Sequence, residues 1–267
     1  MEDKKFIAPG AWFCMHYPAS WSEFEDGEGS FLFYNPNQWT GNFRISAFRG
    51  NAVYGRDCVD MELRENRLAK AIRIGRHICA YSMEAFVEEE VKYENHQWVT
   101  GIDDVAFEIS FAVEEGCSVQ EAEQVIASLE LRKPDVKYPP EIIPVRLSEI
   151  MQIDEAYEWV QSVVKEQLKK DFRAEEEDVY YMQKVLESGK FSTRKREVWI
   201  AMGITLCVIL ANEVEGFEWH TLVDGNREAP VLMSTEDKTL IDPLKLVWSR
   251  VKAGEQVNLV DIYKTIL

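Results

Sequence analysis

Three short aromatic runs near the N-terminus constrain the fold of this chain more than any other feature. They lie between Pro9 and Arg49, and glycine, proline and asparagine residues separate them. Aromatic runs of this length, bounded by turn-forming residues, are typical of β-strands joined by tight turns. The stretch therefore predicts an antiparallel meander at the start of an N-terminal domain.

Two further stretches extend the predicted sheet. Apolar and polar residues alternate from Cys79 to Glu94 and again from Val105 to Val113, which indicates strands with one buried face. A helix with a basic face is predicted from Asp57 to about Ile74, and Ser118 with Glu121 resembles a capping box that begins a second helix. We therefore predict an α+β domain over residues 1–138, an antiparallel sheet with flanking helices.

Four prolines between Pro134 and Pro144 predict the end of this domain, because closely spaced prolines remove backbone donors and disfavour helix. A second domain is expected over residues 145–267. Its predicted helices span residues 148–172, 175–187 and 193–214, followed by a hairpin at Asp224-Gly225. The third helix is apolar on most sides and is predicted to be central. The fold expected here is a smaller, mostly helical α+β domain with a hairpin.

The chain is strongly acidic, with a net charge of -17 over 267 residues. Both predicted domains are negative, so repulsion from phosphate backbones and anionic lipids argues against nucleic-acid or membrane partners. The charge is compatible with a basic protein partner. Solubility alone is the simpler explanation of the charge.

Cysteine usage and the N-terminus bear on the compartment. The five cysteines form no CxxC pair and have apolar or small neighbours, which predicts buried free thiols in a reducing compartment. No long apolar run follows Met1, so no signal peptide is expected. These features together predict a cytoplasmic protein.

Motifs that would indicate catalysis or cofactor binding are missing from the sequence. The four histidines have no close spacing typical of metal ligands, and HExxH, GxSxG, GxGxxG and Walker patterns do not occur. We predict no metal, no cofactor and no catalytic residue. A site assembled from His96, Asp103 and Asp104 is the metal-binding alternative.

Aromatic and acidic residues in turns are the strongest candidates for recognition. Tryptophan is enriched at binding hot spots, although a tryptophan in a turn more often covers the core of a small sheet. The predicted binding residues are Trp21, Glu23, Glu25, Asp26, Trp39, Asn42 and Trp98.

Two segments resemble known families. Residues Pro9 to Trp21, followed by Ser30 to Pro36, resemble an uncharacterised domain family of the Bacteroides group, in an element order similar to the PsbP and Ran-binding Mog superfamily. The second half, from Trp199 to Pro243, resembles another family of unknown function that follows the first in tandem. The first resemblance implies an α/β/α sandwich acting as a binding module, and some related bacterial domains are immunity proteins.

Two functions from different classes follow as hypotheses. The first is a non-catalytic cytoplasmic binding protein, in its narrower form an immunity-type neutraliser of a basic protein partner. The alternative is a hydrolase with a site of carboxylates and a histidine in the cleft between the domains. A housekeeping scaffold is a third reading that the sequence does not separate from the first.

Overall fold

The structure, a computed structural model, describes residues 3–25, 29–189, 191–225 and 227–267. Its contacts divide the chain into two compact units, Met1–Lys137 (unit 1) and Tyr138–Leu267 (unit 2). Both units combine antiparallel sheets with helices, and unit 2 is the more helical. The predicted α+β fold class is confirmed.

Unit 1 contains two antiparallel sheets and two helices. A seven-stranded sheet has the order β3-β4-β5-β9-β8-β7-β6, and a three-stranded sheet has the order β1-β2-β10. The elements are β1 Asp3–Ile7, β2 Phe13–Pro18, β3 Ser22–Glu25, β4 Ser30–Tyr34, β5 Asn42–Arg49, α1 Tyr54–Glu65, β6 Lys70–Ile74, β7 His77–Glu88, β8 Val91–Ile102, β9 Val105–Glu114, α2 Gln120–Ala127 and β10 Glu130–Leu131.

The predicted meander is confirmed for β3, β4 and β5, which pair in sequence order. The first aromatic run differs, because β2 pairs with β1 and β10 in the smaller sheet. Its Phe13 side chain nevertheless joins the common core, with its ring centroid 5.2 Å from that of Phe107 in the large sheet. Alternation determines which face of a strand is buried and leaves the choice of partner strand to the tertiary fold.

The large sheet has two unlike faces. Its core face carries Phe43, Trp98 and Phe111, which pack into one cluster with the small sheet and α2. Its outer face carries α1, and the absence of side chains at Gly55 and Gly101 allows the helix to lie close to β8. A Cβ on Gly101 would lie 2.2 Å from the backbone of Gly55 in α1, so only glycine permits this approach.

The helix predicted from Asp57 to Ile74 is wrong in its second half. Helix α1 ends at Glu65, Asn66 begins a turn by accepting a 2.9 Å hydrogen bond from the Leu68 N–H, and Lys70–Ile74 forms β6 against β7. Pairing with β7 overrides the helical spacing of the apolar residues. The capping box is also wrong: α2 begins at Gln120, whose N–H donates to the Ser118 hydroxyl at 3.2 Å.

Unit 2 is built around one helix. Eleven residues of α5, which has 18, are buried, which confirms the predicted central helix. A four-stranded antiparallel sheet has the order β11-β12-β13-β14. The elements are β11 Glu141–Pro144, α3 Leu147–Leu168, α4 Glu176–Glu187, α5 Arg196–Glu213, β12 Phe217–Asp224, β13 Arg227–Ser234, β14 Leu240–Ile241, α6 Pro243–Leu246, α7 Trp248–Lys252 and α8 Leu259–Ile266.

The proline-rich stretch expected to be only a boundary includes strand β11. This strand pairs with β12 at the edge of its sheet, where Pro144 lies opposite His220. Edge strands tolerate proline because one side of the strand needs no N–H donor.

The thiols are not all buried as expected. Cys14, Cys79 and Cys207 are buried, Cys58 is half-buried and Cys117 is exposed. Cys117 follows Gly116 in the turn after β9, where its side chain has no core to enter. Within the described ranges, no helix combines the length and apolar character needed to cross a membrane.

Candidate protein-binding surface

The hairpin of β7 and β8 reaches beyond the rest of the sheet. All residues from Met83 to Lys92 are exposed. Two glutamates, Glu89 and Glu90, form its loop with φ angles of 48° and 69°. Positive φ at both loop positions matches the right-handed twist of hairpin strands and normally selects asparagine or glycine. Acidic residues therefore occupy a turn that their backbone preferences do not favour.

Three aromatic rings meet beside this hairpin. Phe86 and Tyr93 are cross-strand partners whose ring centroids lie 5.3 Å apart at an interplanar angle of 21°. The Trp39 ring contacts Tyr93 edge-on, at 5.9 Å and 83°. Trp39 is 41% exposed and Phe86 is 40% exposed, large values for such side chains. We call Trp39, Phe86 and Tyr93 the aromatic patch.

The loop between β4 and β5 fixes the position of the Trp39 ring. The indole Nε1–H donates a 2.9 Å hydrogen bond to Oδ1 of Asn42. Gly41 lets this loop pass over the core ring of Phe111, because a Cβ there would lie 2.3 Å from that ring. Asn42 thus orients the exposed indole, which places two predicted binding residues in one arrangement.

The hairpin that carries Phe86 and Tyr93 is rich in carboxylates. Between Met83 and Glu94, Lys92 is the single basic residue, and its Nζ lies 3.4 Å from the Glu115 carboxylate. The acidic residues of this segment are Glu84, Glu88, Glu89, Glu90 and Glu94. Five negative charges against one positive charge give this end of unit 1 a negative potential.

A polar groove lies on the same outer face of the sheet as Tyr93. Tyr93, Asn95 and Gln97 alternate along β8, so their side chains share that face. The groove has a volume of about 330 Å³ and is lined by residues that include Arg44, Ser82, Gln97 and Ser110. The rings and these hydrogen-bonding side chains therefore share one face of the sheet.

Two of the predicted binding residues are in the core instead. Trp21 and Trp98 are both 0% exposed. The Trp21 ring stacks on Phe111 at 6.0 Å and contacts Phe43 at 5.8 Å. Their assignment as surface anchors is wrong, because indoles enclosed on all sides cannot contact a partner. The alternative reading, a tryptophan covering the core of a sheet, describes Trp21.

Three of the predicted binding residues are acidic, and the structure describes the side chain of only one of them, Glu23. Glu23 lies in β3 opposite Phe33. Burial raises the pKa of the Tyr17 phenol, and the nearby Glu23 carboxylate raises it further. The Glu25 side chain and the whole of Asp26 lie outside the described residues. Sequence reasoning missed Phe86 and Tyr93, although an aromatic residue on each side of a run of glutamates was a signal for an exposed hairpin.

The metal-binding alternative is wrong. His96 and Asp103 are seven residues apart along β8 and the turn that follows it, a separation of roughly 20 Å in an extended strand. His96 is buried: its Nδ1 lies 2.8 Å from the Tyr81 hydroxyl and its Nε2 lies 3.3 Å from the Glu94 carboxylate. Asp104 pairs with Arg49. Across the described residues, no three histidine, cysteine or acidic side chains form a metal-binding group.

Two ionisable residues of unit 2, His220 and Glu149, make contacts within the fold. His220 lies 3.6 Å from the Glu218 carboxylate. The Thr221 hydroxyl donates to the buried carboxylate of Glu149, and burial raises the pKa of that carboxyl group. This contact joins β12 to the first turn of α3. It supports the packing of a sheet against a helix, and a core position gives it no access to a substrate.

The fold and the surface residues together define a two-unit α+β protein that exposes the aromatic patch beside several glutamates. The chain belongs to the DUF3805 family, a domain of unknown function whose match covers residues 1–154. A second domain of unknown function, DUF3806, matches residues 178–263. The resemblance to two such families in tandem is confirmed. No curated protein matches the chain.

Solved structures extend this picture. The chain is 59% identical to a protein of known crystal structure from Bacteroides thetaiotaomicron VPI-5482, with a TM-score of 0.95 over 100% of this chain and 98% of that one. Similarity to PsbP-like structures is weak. Cyanobacterial PsbP from Synechocystis sp. PCC 6803 is 13% identical over 49% of this chain and 92% of its own, with a TM-score of 0.27. LpqN of Mycobacterium tuberculosis is 10% identical over 49% and 91%, with a TM-score of 0.32.

Proposed function

We propose that this chain is a non-catalytic binding protein whose unit 1 binds a basic protein partner through the aromatic patch. The observation that carries the proposal is the exposure of Trp39 and Phe86 around Tyr93, beside the glutamates of the β7–β8 hairpin. Exposed aromatic rings cost solubility and are retained at recognition surfaces.

The chemistry of the patch favours lysine and arginine as contacts. A cation over an aromatic face is attracted by the ring quadrupole, by about 0.5–1 kcal/mol at an exposed site. Neighbouring carboxylates steer a cationic partner toward the rings and raise the association rate at low salt. Trp39 is fixed by Asn42, so its ring loses little freedom on binding.

In its narrower form, the proposal is that the protein neutralises a basic toxin in the cytoplasm as an immunity-type protein. This form requires that the complex covers the active surface of the partner. It shares the aromatic patch with the broader proposal, so the same substitutions test both forms.

The test measures binding of a fluorescently labelled lysine-rich peptide by anisotropy at low and high salt. Trp39→Ala and Phe86→Ala are each expected to weaken binding about tenfold, as expected for loss of an aromatic anchor. Tyr180→Ala is the matched control, because Tyr180 is an aromatic residue of unit 2 that is 45% exposed. The wild-type affinity is expected to fall as salt rises.

Equal losses in all three variants would overturn the proposal, since the patch would then contribute nothing specific. Binding that does not change with salt would overturn its electrostatic part. A glutamate-rich peptide of the same length is the probe control and is expected not to bind.

A further inference from the structure

Strand β7 has a free edge along its second half. Strand β6 pairs with β7 only from His77 to Tyr81. From Ser82 to Glu88, β7 pairs with β8 on one side, and no described strand pairs with its other side. This open edge borders the aromatic patch, because Phe86 lies in this part of β7 and is one of the three residues of the patch.

The hairpin registers show which backbone groups face outward. Ile74 pairs with His77 across one two-residue loop, and Glu88 pairs with Val91 across another. In a two-residue hairpin, the residues that flank the loop exchange hydrogen bonds, and every second residue does the same. Odd-numbered residues of β7 therefore direct their N–H and C=O groups away from β8. Beyond β6, these residues are Met83, Ala85 and Val87.

The edge lacks most of the features that usually protect such strands, and its charged residues are Glu84 and Glu88. Proteins commonly protect an exposed edge with lysine, proline, a bulge or a covering loop. The segment Met83 to Glu88 contains no lysine and no proline, and its register with β8 is uninterrupted. Val87 is 66% exposed and Met83 is 39% exposed. An edge of this kind is able to accept another strand.

We propose that an extended basic segment of the partner adds to the sheet as a further strand along Met83, Ala85 and Val87. This inference rests on the proposed function and specifies how the partner binds. Backbone hydrogen bonds would supply register, and lysine or arginine side chains would meet Glu84 and Glu88 on the outer face beside Phe86.

Charge selects the occupant. The segment from Met83 to Glu94 carries five glutamates and one lysine. A second copy of the chain would place the same negative segment against itself, and like charges opposite each other on paired strands are destabilising. A basic segment gains attraction from the same carboxylates. Association of two copies through this edge is therefore the disfavoured outcome.

A proline at position 85 tests whether the N–H of Ala85 that points away from β8 donates a hydrogen bond to the added strand. Ala85→Pro removes the outward N–H and leaves the hydrogen bonds between β7 and β8 in place, since edge positions tolerate proline. Ala85→Thr is the matched control, because it keeps the N–H and favours strand. The probe is a peptide of alternating lysine and valine, about eight residues long as for a short strand. Ala85→Pro is expected to weaken its binding at least about tenfold, the value of one to two lost hydrogen bonds, and Ala85→Thr is expected to bind as wild type.

Hydrogen exchange of the wild-type protein gives a second readout that needs no variant. Addition of the peptide is expected to slow amide exchange at Met83, Ala85 and Val87, with little change at Glu84 and Phe86, which already face β8. Uniform protection of all five amides, or none, would overturn strand addition. Dimerisation through this edge, detected by sedimentation and abolished by Ala85→Pro, would overturn the choice of occupant.

The two levels of the proposal fail in different ways. If Trp39→Ala weakens peptide binding and Ala85→Pro does not, strand addition is wrong and the aromatic patch still binds. If neither variant weakens binding, the proposed function itself is wrong. Thermal unfolding of Ala85→Pro, compared with Ala85→Thr, shows whether the proline variant is folded.

Discussion

Single tryptophans show how much the surroundings of a residue decide its role. Trp21 and Trp39 both follow turn-forming residues, yet Trp21 is fully buried and Trp39 is 41% exposed. The backbone N–H of Trp21 donates to the Pro18 carbonyl at 2.9 Å in a tight turn that brings the indole over Phe43 and Phe111. The Trp39 indole is held by Asn42 outside the core. Turn residues predict where the chain reverses, and the packing beneath the turn decides which way the ring points.

This difference predicts losses of stability of very different size for the same substitution. Trp21→Ala is expected to lower the free energy of unfolding by about 3–5 kcal/mol, because it leaves a large cavity among buried aromatic rings. Trp39→Ala is expected to lower it by less than about 1 kcal/mol, since an exposed ring buries little apolar area. Urea denaturation of both variants measures the values. A small loss for Trp21→Ala would contradict the core position assigned to this residue.

At the scale of elements, the β7–β8 hairpin combines strain, exposure and charge. Its loop residues, Glu89 and Glu90, both adopt positive φ angles. Such conformations cost a non-glycine residue about 1–2 kcal/mol in the left-handed region. Strain of this kind is often retained at functional sites. The loop thus fits the binding role proposed for the hairpin, since its two exposed carboxylates add negative charge at the end of the free edge.

Replacement of this loop is expected to separate stability from binding. Glu89→Asn with Glu90→Gly is expected to raise the free energy of unfolding by about 1 kcal/mol, because Asn-Gly suits a two-residue hairpin. Affinity for the lysine-rich peptide is expected to fall several-fold at low salt through the loss of two charges. Urea denaturation and anisotropy measure the two effects.

The control for this loop variant changes the same charge elsewhere. Glu155→Gln with Glu158→Gln alters two exposed residues of α3 in unit 2. It is expected to leave peptide affinity within about twofold, because the proposal assigns the binding surface to unit 1 and these two carboxylates belong to unit 2. Equal losses in the loop variant and this control would show that net charge, rather than the hairpin, attracts the peptide.

At the scale of the whole molecule, each unit has its own hydrophobic cluster. The cluster of unit 1 contains Trp21, Trp98 and the rings between the two sheets. The cluster of unit 2 surrounds α5 and includes Met202 and Leu206. Both units fall within the usual size of independently folding domains. We propose that they are separate domains, and that unit 1 alone carries the binding surface.

Separate expression of residues 1–137 and 138–267 tests this proposal. Each fragment is expected to unfold cooperatively, because each retains a complete core. Residues 1–137 are expected to bind the lysine-rich peptide within about threefold of the whole chain, since the aromatic patch and the free edge both lie there. Thermal unfolding and anisotropy are the measurements. A fragment that fails to fold, or a folded unit 1 that does not bind, would contradict the division of roles.

Much of the local structure follows from the sequence alone. The apolar stretch from Val198 to Ala211 predicted a buried helix. Asn258 is a favoured residue type at a helix start, and its side chain accepts hydrogen bonds from the backbone N–H groups of Val260 and Asp261. Such signals need only neighbours in the chain, so they can be read without knowledge of the fold. The mixed α+β class followed from them.

Tertiary structure decided the features that depend on distant partners. Residues Lys70–Ile74 became a strand because β7 was available to pair with them, and the run from Phe13 joined β1 and β10 instead of the meander. The aromatic patch also depends on tertiary structure. The fold brings Trp39, from the loop between β4 and β5, beside Phe86 and Tyr93 of the β7–β8 hairpin. Sequence periodicity determines which face of a helix or strand is apolar. The free energy of packing determines which other element covers that face. The candidate binding surface formed where it did because of this choice of packing partners.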